Sequence, residues 1–154
     1  MTAQAVSVTD PPAAAHDFPV SFAVFALARI HRAAAGMLSD IGLHLGQEIM
    51  LIQLNAAVGR SQKSLRELLR ADHSTVAKSV ARLQKAGLVT RSKADYDERV
   101  SLVTLTPAGA ELREKALAAW AGLEDITVSR LTEPEQRQFV ALAGKLVSHT
   151  DEKT

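Results

Sequence analysis

Hydrophobic positions recur along this chain at three- and four-residue steps, the spacing of helices that each bury one face. The first such pattern begins near Asp17 and passes through Phe22, Phe25, Ile30, Ala33, Met37 and Ile41 before Gly42 closes it. A second helix is predicted over residues 45–58, with Ile49, Ile52 and Leu54 on its apolar side and Gly59 at its end. Ser61 stands where an N-cap belongs, ahead of a short helix whose buried stripe is Leu65, Leu68 and Leu69. Asp72 caps the next helix, read over residues 71–87. There Val76, Val80 and Leu83 fall on one stripe, and Thr75, Lys78, Ser79 and Arg82 on another roughly 120° away. Two short helices joined by a tight turn, the second amphipathic and basic, form a helix-turn-helix plan.

Beyond Gly87 the pattern changes to short β-branched runs, residues 88–91 and 100–105, separated by polar and charged residues 92–99. This predicts a hairpin with a charged tip. Thr106 as cap and Pro107 in the first turn then open a long helix through Leu112, Ala116, Trp120, Leu123 and Ile126 to Arg130. Thr132-Glu133-Pro134-Glu135 is a capping box ahead of a last helix bearing Phe139, Leu142, Leu146 and Val147. Residues 1–16, rich in Ala, Thr, Ser and Pro, are expected as a mobile arm. The fold class is therefore mainly α with a small β-wing. It is one domain over residues 17–154: a winged helix-turn-helix at about 45–105, flanked by long helices at about 17–41 and 106–150.

Composition sharpens this picture in three places. Aromatic residues make up only 4% of the chain, which favours helices over a β-sandwich. There is no cysteine, which removes disulfides and thiol chemistry. The net charge is only +1, but residues 60–99 hold ten Lys/Arg against five Asp/Glu, so the basic charge gathers on the two-faced helix and the hairpin. The N-terminus has no secretory pattern and no stretch reaches a membrane span, so a cytoplasmic protein without a membrane partner is expected. The five His residues are not spaced to place two on one helix face, so no metal and no cofactor is expected. Gly-rich phosphate loops and nucleophile elbows are absent as well, which argues against an enzyme.

What remains is chemistry suited to double-stranded DNA. Thr75 and Ser79 can exchange hydrogen bonds with base edges, and the Thr75 methyl can lie against thymine. Lys78 and Arg82 reach guanine or phosphate, and His73 and Ser74 sit where first-turn N–H groups could hold a phosphate. On the hairpin, Arg91 and Lys93 line one strand. Asp97-Glu98-Arg99 suggests that Asp97 braces Arg99, or another basic group nearby, as the tip approaches the minor groove or adjacent phosphates. The terminal helices carry more apolar surface than so small a lobe can cover, which predicts a two-fold homodimer over a monomer with a long helical core. Its recognition helices would then stand about one DNA turn apart on a near-palindromic operator.

These residues also resemble a known family. Ser61-Gln62, Ser74-Thr75-Val76, the junction from Leu83 to Val89, Asp97-Glu98-Arg99 and the exit from Leu105 to Gly109 resemble, in register, the winged helix-turn-helix of MarR-type transcription regulators. The resemblance implies dimerisation through the terminal helices and binding to inverted repeats, and it adds Ser61 to the DNA-facing set. It also implies repression relieved by small anionic aromatic or lipophilic molecules held between the dimer helices and the DNA lobes. Candidate effector-lining residues here are Phe25, Arg29, Met37, His44, Met50 and Leu54, which mix apolar surface with polar groups near that junction. Lack of cysteine excludes the family's peroxide-sensing thiol branch. Two residues depart from the pattern: Arg70 stands where the inter-helix turn usually has Gly, and His73 where a basic residue is frequent. The reading is a sequence-specific regulator, a repressor; the alternative is a winged-helix protein-interaction module that does not bind DNA.

Overall fold

The computed structural model describes residues 14–44 and 46–151, and in it the predicted helices and hairpin follow one another as expected, with a short first helix and a short first strand added. They are α1 (Ala14–Asp17), α2 (Pro19–Ser39), α3 (Gln47–Gln53), β1 (Arg60–Ser61), α4 (Gln62–Leu69), α5 (His73–Lys85), β2 (Val89–Ala94), β3 (Asp97–Leu105), α6 (Pro107–Val128) and α7 (Glu133–Asp151). The three strands form one antiparallel sheet in the order β1-β3-β2. Most of the stretch expected as a mobile arm lies outside the described residues, and its end belongs to α1.

Three helices close with one hydrogen-bond pattern. At the end of α2, Gly42 N–H donates to Ser39 O and Leu43 N–H to Leu38 O; after α5, Gly87 donates to Gln84 O and Leu88 to Leu83 O. After α4, Arg70 donates to Glu67 O and Ala71 to Arg66 O in the same arrangement. The pattern requires a left-handed residue at its first donor, supplied by Gly42 (φ 80°), Gly87 (φ 74°) and Arg70 (φ 48°). Arg70 thus occupies a glycine position, at a cost of roughly 1 kcal/mol.

One continuous core joins the helices to the sheet: Leu38, Leu43, Met50, Leu51, Leu54, Leu65, Val76, Val80, Leu83, Val89, Val103, Leu105 and Ala116. The three apolar positions of α5 are all buried in it, as the sequence pattern requires. Several expectations are corrected. The second helix stops at Gln53, not near residue 58, because the Asn55 side chain accepts hydrogen bonds from Ala57 N–H and Val58 N–H (2.6 and 3.3 Å) and takes the backbone out of the helix. Leu68 is exposed, since α4 turns only Leu65 fully inward. The first helix breaks at Phe18, where Pro19 opens a new one. Its buried positions are Ala34 and Leu38, while Phe25 and Ala33 face outward.

The wing differs too. Residues 92–99 are not a loop: the strands extend through them and leave only Asp95 and Tyr96 as the turn, with a register shift at Lys93/Ala94. Between Val89 and Ala94, which are buried, residues 90–93 of β2 are all exposed, as are residues 97–99 of β3, so polar residues satisfy this part of the ribbon as well as alternating ones. Strand β1 was not anticipated; Arg60 pairs with Val103 and Ser61 with Leu102. Finally, α2 is by length and composition apolar enough to cross a membrane, which corrects the statement that no stretch approaches a span. Its Val20, Val24 and Leu27 are exposed and, with Phe139, Leu142, Leu146 and Val147 of α7, border an apolar recess of about 670 Å³.

The start of α6 is pressed against the end of the recognition helix. A Cβ on Gly109 would lie 1.9 Å from the Leu88 carbonyl oxygen. Within helices Ala normally outperforms Gly by about 0.5–1 kcal/mol. Here the sign should reverse: Gly109→Ala should lower the free energy of unfolding by roughly 1–3 kcal/mol in urea titrations at fixed protein concentration, and a neutral or stabilising effect would refute the close approach.

Candidate nucleic-acid interface

The recognition surface is built by caps. Ser61 caps α4 by accepting from Ser64 N–H at 3.1 Å, and Asp72 caps α5 by accepting from Thr75 N–H at 2.9 Å. The second oxygen of Asp72 accepts the Thr75 hydroxyl at 2.5 Å. That proton is therefore committed, and toward a base Thr75 offers lone pairs and its methyl group. The hydroxyl and N–H of Thr75, with a smaller contribution from Ser74, hold the Asp72 carboxyl well below the usual carboxylate range. With Val76, Val80 and Leu83 buried, the helix turns His73, Ser74, Thr75, Lys78 and Arg82 to solvent, and Ser79 is half-buried among them.

On the hairpin, Arg91 and Lys93 of β2 and Asp97 and Arg99 of β3 are all exposed. Asp97 does brace Arg99, but through the backbone: its Oδ1 accepts from Arg99 N–H at 2.9 Å, and no ion pair between their side chains occurs. The brace expected from the sequence therefore acts on the backbone of Arg99 and not on its side chain. The carboxylate fixes the strand from which Arg99 projects and leaves the guanidinium unpaired.

The charge distribution follows the same division. The long helices carry ion pairs: Arg113–Glu114 at 2.8 Å, Lys115–Glu111 at 2.9 Å and Arg137–Glu133 at 3.6 Å. Lys63, Lys78, Arg82, Arg91, Lys93 and Arg99 have no carboxylate within ion-pair distance. These six cations of the lobe are free to pair with an anion.

The candidate effector residues are not brought together. Phe25 and Arg29 are exposed on α2, Met37 borders a gap between α2 and α6, and Leu54 is buried in the core. His44 and Met50 do share an open recess of about 660 Å³, and its far wall is formed by Thr75, Ser79 and Arg82. Sequence reasoning missed Gln47 and Leu69 in this recess, and Lys63 and Tyr96 beside Arg99 in a second one. The signal for Lys63 was present, because a capped Ser61 puts it in the exposed first turn of α4.

Comparison with known proteins bears on this geometry. The model of the MarR family matches residues 41–100, which span α3 to the start of β3. A relative from Clostridium symbiosum, the HTH-type transcriptional regulator BilQ, is 33% identical over 105 residues, covering 68% of this chain and 73% of its own. The chain belongs to the MarR family. It is a transcription regulator of that family with the winged-helix fold. The HTH-type transcriptional repressor Rv2887 of Mycobacterium tuberculosis is 27% identical over 135 residues, covering 87% of this MarR-family chain and 97% of the repressor. The fold also matches the S. aureus MepR–DNA complex with a TM-score of 0.78 at 23% identity, over 87% of this chain and 98% of that one.

The Asp72 cap gives this regulator a defined acid response. Its carboxyl is depressed on folding, so the stabilisation is fully present above the unfolded value near pH ~4 and is lost as pH falls below it. Asn at this position keeps an oxygen acceptor but no charge. The stability advantage of the wild type over Asp72→Asn should therefore be constant between about pH 6 and 8 and shrink progressively below about pH 4. A pH-independent difference in chemical denaturation would contradict the assignment.

Proposed function

We propose that this chain is a homodimeric repressor that binds a near-palindromic operator through α5 and the β2–β3 hairpin, and is released by a small aromatic or lipophilic effector. The observation that carries the DNA-binding part is the set of unpaired cations on the lobe, from Lys78 and Arg82 on the helix to Arg91, Lys93 and Arg99 on the wing. Phosphates would complete them, with release of condensed counterions. The S. aureus structure of the same fold was solved with DNA, and the M. tuberculosis relative is a named repressor; both support the reading.

The dimer is supported by the exposed apolar faces of α2 and α7, which one copy leaves uncovered. A two-fold partner would bury them and fix the separation of the two α5 helices. Effector release is supported by the recess that His44 and Met50 share with Thr75, Ser79 and Arg82. Its floor is apolar and Arg82 offers a cation, so an amphipathic anion fits it chemically. Because Thr75, Ser79 and Arg82 also face the groove, such an occupant would compete with DNA for the same side chains. A regulator of this kind acts where the DNA is, in the cytoplasm.

The test is to recover bound genomic fragments with purified protein and measure affinity for the recovered duplex. Arg99→Ala should weaken it by about 1–3 kcal/mol while leaving the thermal midpoint unchanged. Light scattering after size exclusion should return a dimer at micromolar concentration. Recovery of no duplex would sink the DNA-binding reading, and a clean monomer would sink the symmetric one.

A further inference from the structure

The wing tip carries a residue that neither the hairpin nor the core requires. Tyr96, the sole tyrosine of the chain, is 77% exposed at the turn between β2 and β3. Neither Asp95 nor Tyr96 has a positive φ, so the turn makes no demand for a particular residue type. Large exposed apolar side chains otherwise concentrate on the long helices, and on the DNA lobe only Val58 and Leu68 accompany Tyr96 among the described residues. At that exposure the ring buries little of its surface in the free protein, although it borders a recess shared with Val58, Ser61 and Leu102.

Its surroundings point to what it meets. Tyr96 lines an open recess of about 490 Å³ with Lys63 of α4 and Arg99 and Ser101 of β3, so the ring shares a wall with two of the unpaired cations. The ribbon carries Arg91, Lys93 and Arg99 against Asp95, Asp97 and Glu98, three charges of each sign. Zero net charge weakens the long-range pull of the phosphate field on the tip and leaves its cations to pair with phosphates locally. Entry into a minor groove is then aided by a contact that is not ionic, of the kind apolar and aromatic side chains make with sugars and base edges.

We propose that Tyr96 is a DNA-contacting residue of the wing, its ring packing on the deoxyribose edge of the minor groove beside Arg99 while Lys63 takes the neighbouring phosphate. The proposal rests on the DNA-binding reading above and adds to it a non-ionic component located at one side chain. It separates the two residue types by their response to salt. An ionic contact contributes to the slope of log affinity against log salt concentration; a packing contact does not.

The experiment uses the full chain and the duplex that the wild type selects from a random pool, with affinity measured by fluorescence anisotropy over a range of salt concentrations. Tyr96→Ala should lose about tenfold in affinity at every salt concentration with an unchanged slope, and Tyr96→Phe should stay within about threefold of wild type. Lys63→Ala, as the ionic comparison, should reduce the slope by about one unit. Thermal midpoints report that each variant is folded, and none should move because both side chains are exposed. Unchanged affinity in Tyr96→Ala, or a loss that vanishes as salt rises, overturns the proposal while the wild-type duplex stands. Failure of the wild type to select any duplex overturns the DNA-binding reading itself.

Discussion

One hydroxyl group ties the recognition helix to the long helix that follows it. The Thr106 hydroxyl donates to Gly87 O at 2.7 Å and accepts from Gly109 N–H at 3.0 Å, and the Thr106 N–H donates to Leu88 O at 3.0 Å. Four groups that would otherwise be unsatisfied at the end of α5 and the start of α6 are thereby paired within a few ångströms. Because Gly109 has no side chain, α6 can come down directly on the Leu88 carbonyl. The angle between α5 and α6 is thus set by backbone and one short side chain, with no long flexible group in between. In a two-fold assembly built on the long helices, that angle is what would determine where each recognition helix points.

Further junctions connect the lobe to its supports at the end of α3. Arg60 of β1 donates through Nε to Gln53 O at 2.6 Å, and Arg113 of α6 donates through Nε to Ile52 O at 3.4 Å. Two guanidinium groups thus satisfy carbonyls that the end of α3 leaves open, one from the wing side and one from the long-helix side. These arginines are used structurally, in contrast to Lys78 and Arg82, held outward by a helix whose other face is buried, and to Arg91, Lys93 and Arg99, exposed on the hairpin. The division explains how a chain of net charge +1 can present a basic surface. Six of its carboxylates pair with cations on α6 and α7, cap helices at Asp72 and Glu135, or brace the backbone at Asp97.

How much of this could be read beforehand depended on how local the cause was. The caps at Ser61, Asp72, Thr106 and Glu135 each involve residues a few positions apart, and all four occur where the side-chain pattern placed them. The two faces of α5 were equally legible, because a 3.6-residue period in one helix needs no knowledge of its neighbours. Arg70 was visible as a departure, but only the closing hydrogen bonds of α4 decide between avoiding the left-handed region and entering it. The errors have non-local causes. Strand β1 exists because Val103 and Leu102 lie alongside Arg60 and Ser61, residues with no strand signal of their own. The outward face of α2 was misjudged because α6 chooses which side is covered, and the extended wing was misread because a solvated ribbon needs no alternation. The effector residues scattered for the same reason: proximity across α2, α3 and α5 is a property of packing.

The central claim is that a symmetric pair of these lobes reads one duplex with two helices and two wings. Hydroxyl-radical footprinting of the protein on its selected duplex measures that arrangement directly. Two protected tracts related by a two-fold axis, with centres about 10 bp apart and weaker protection of the flanking minor grooves, is the predicted result. A single tract without its symmetry mate, or uniform protection along the duplex, would contradict it.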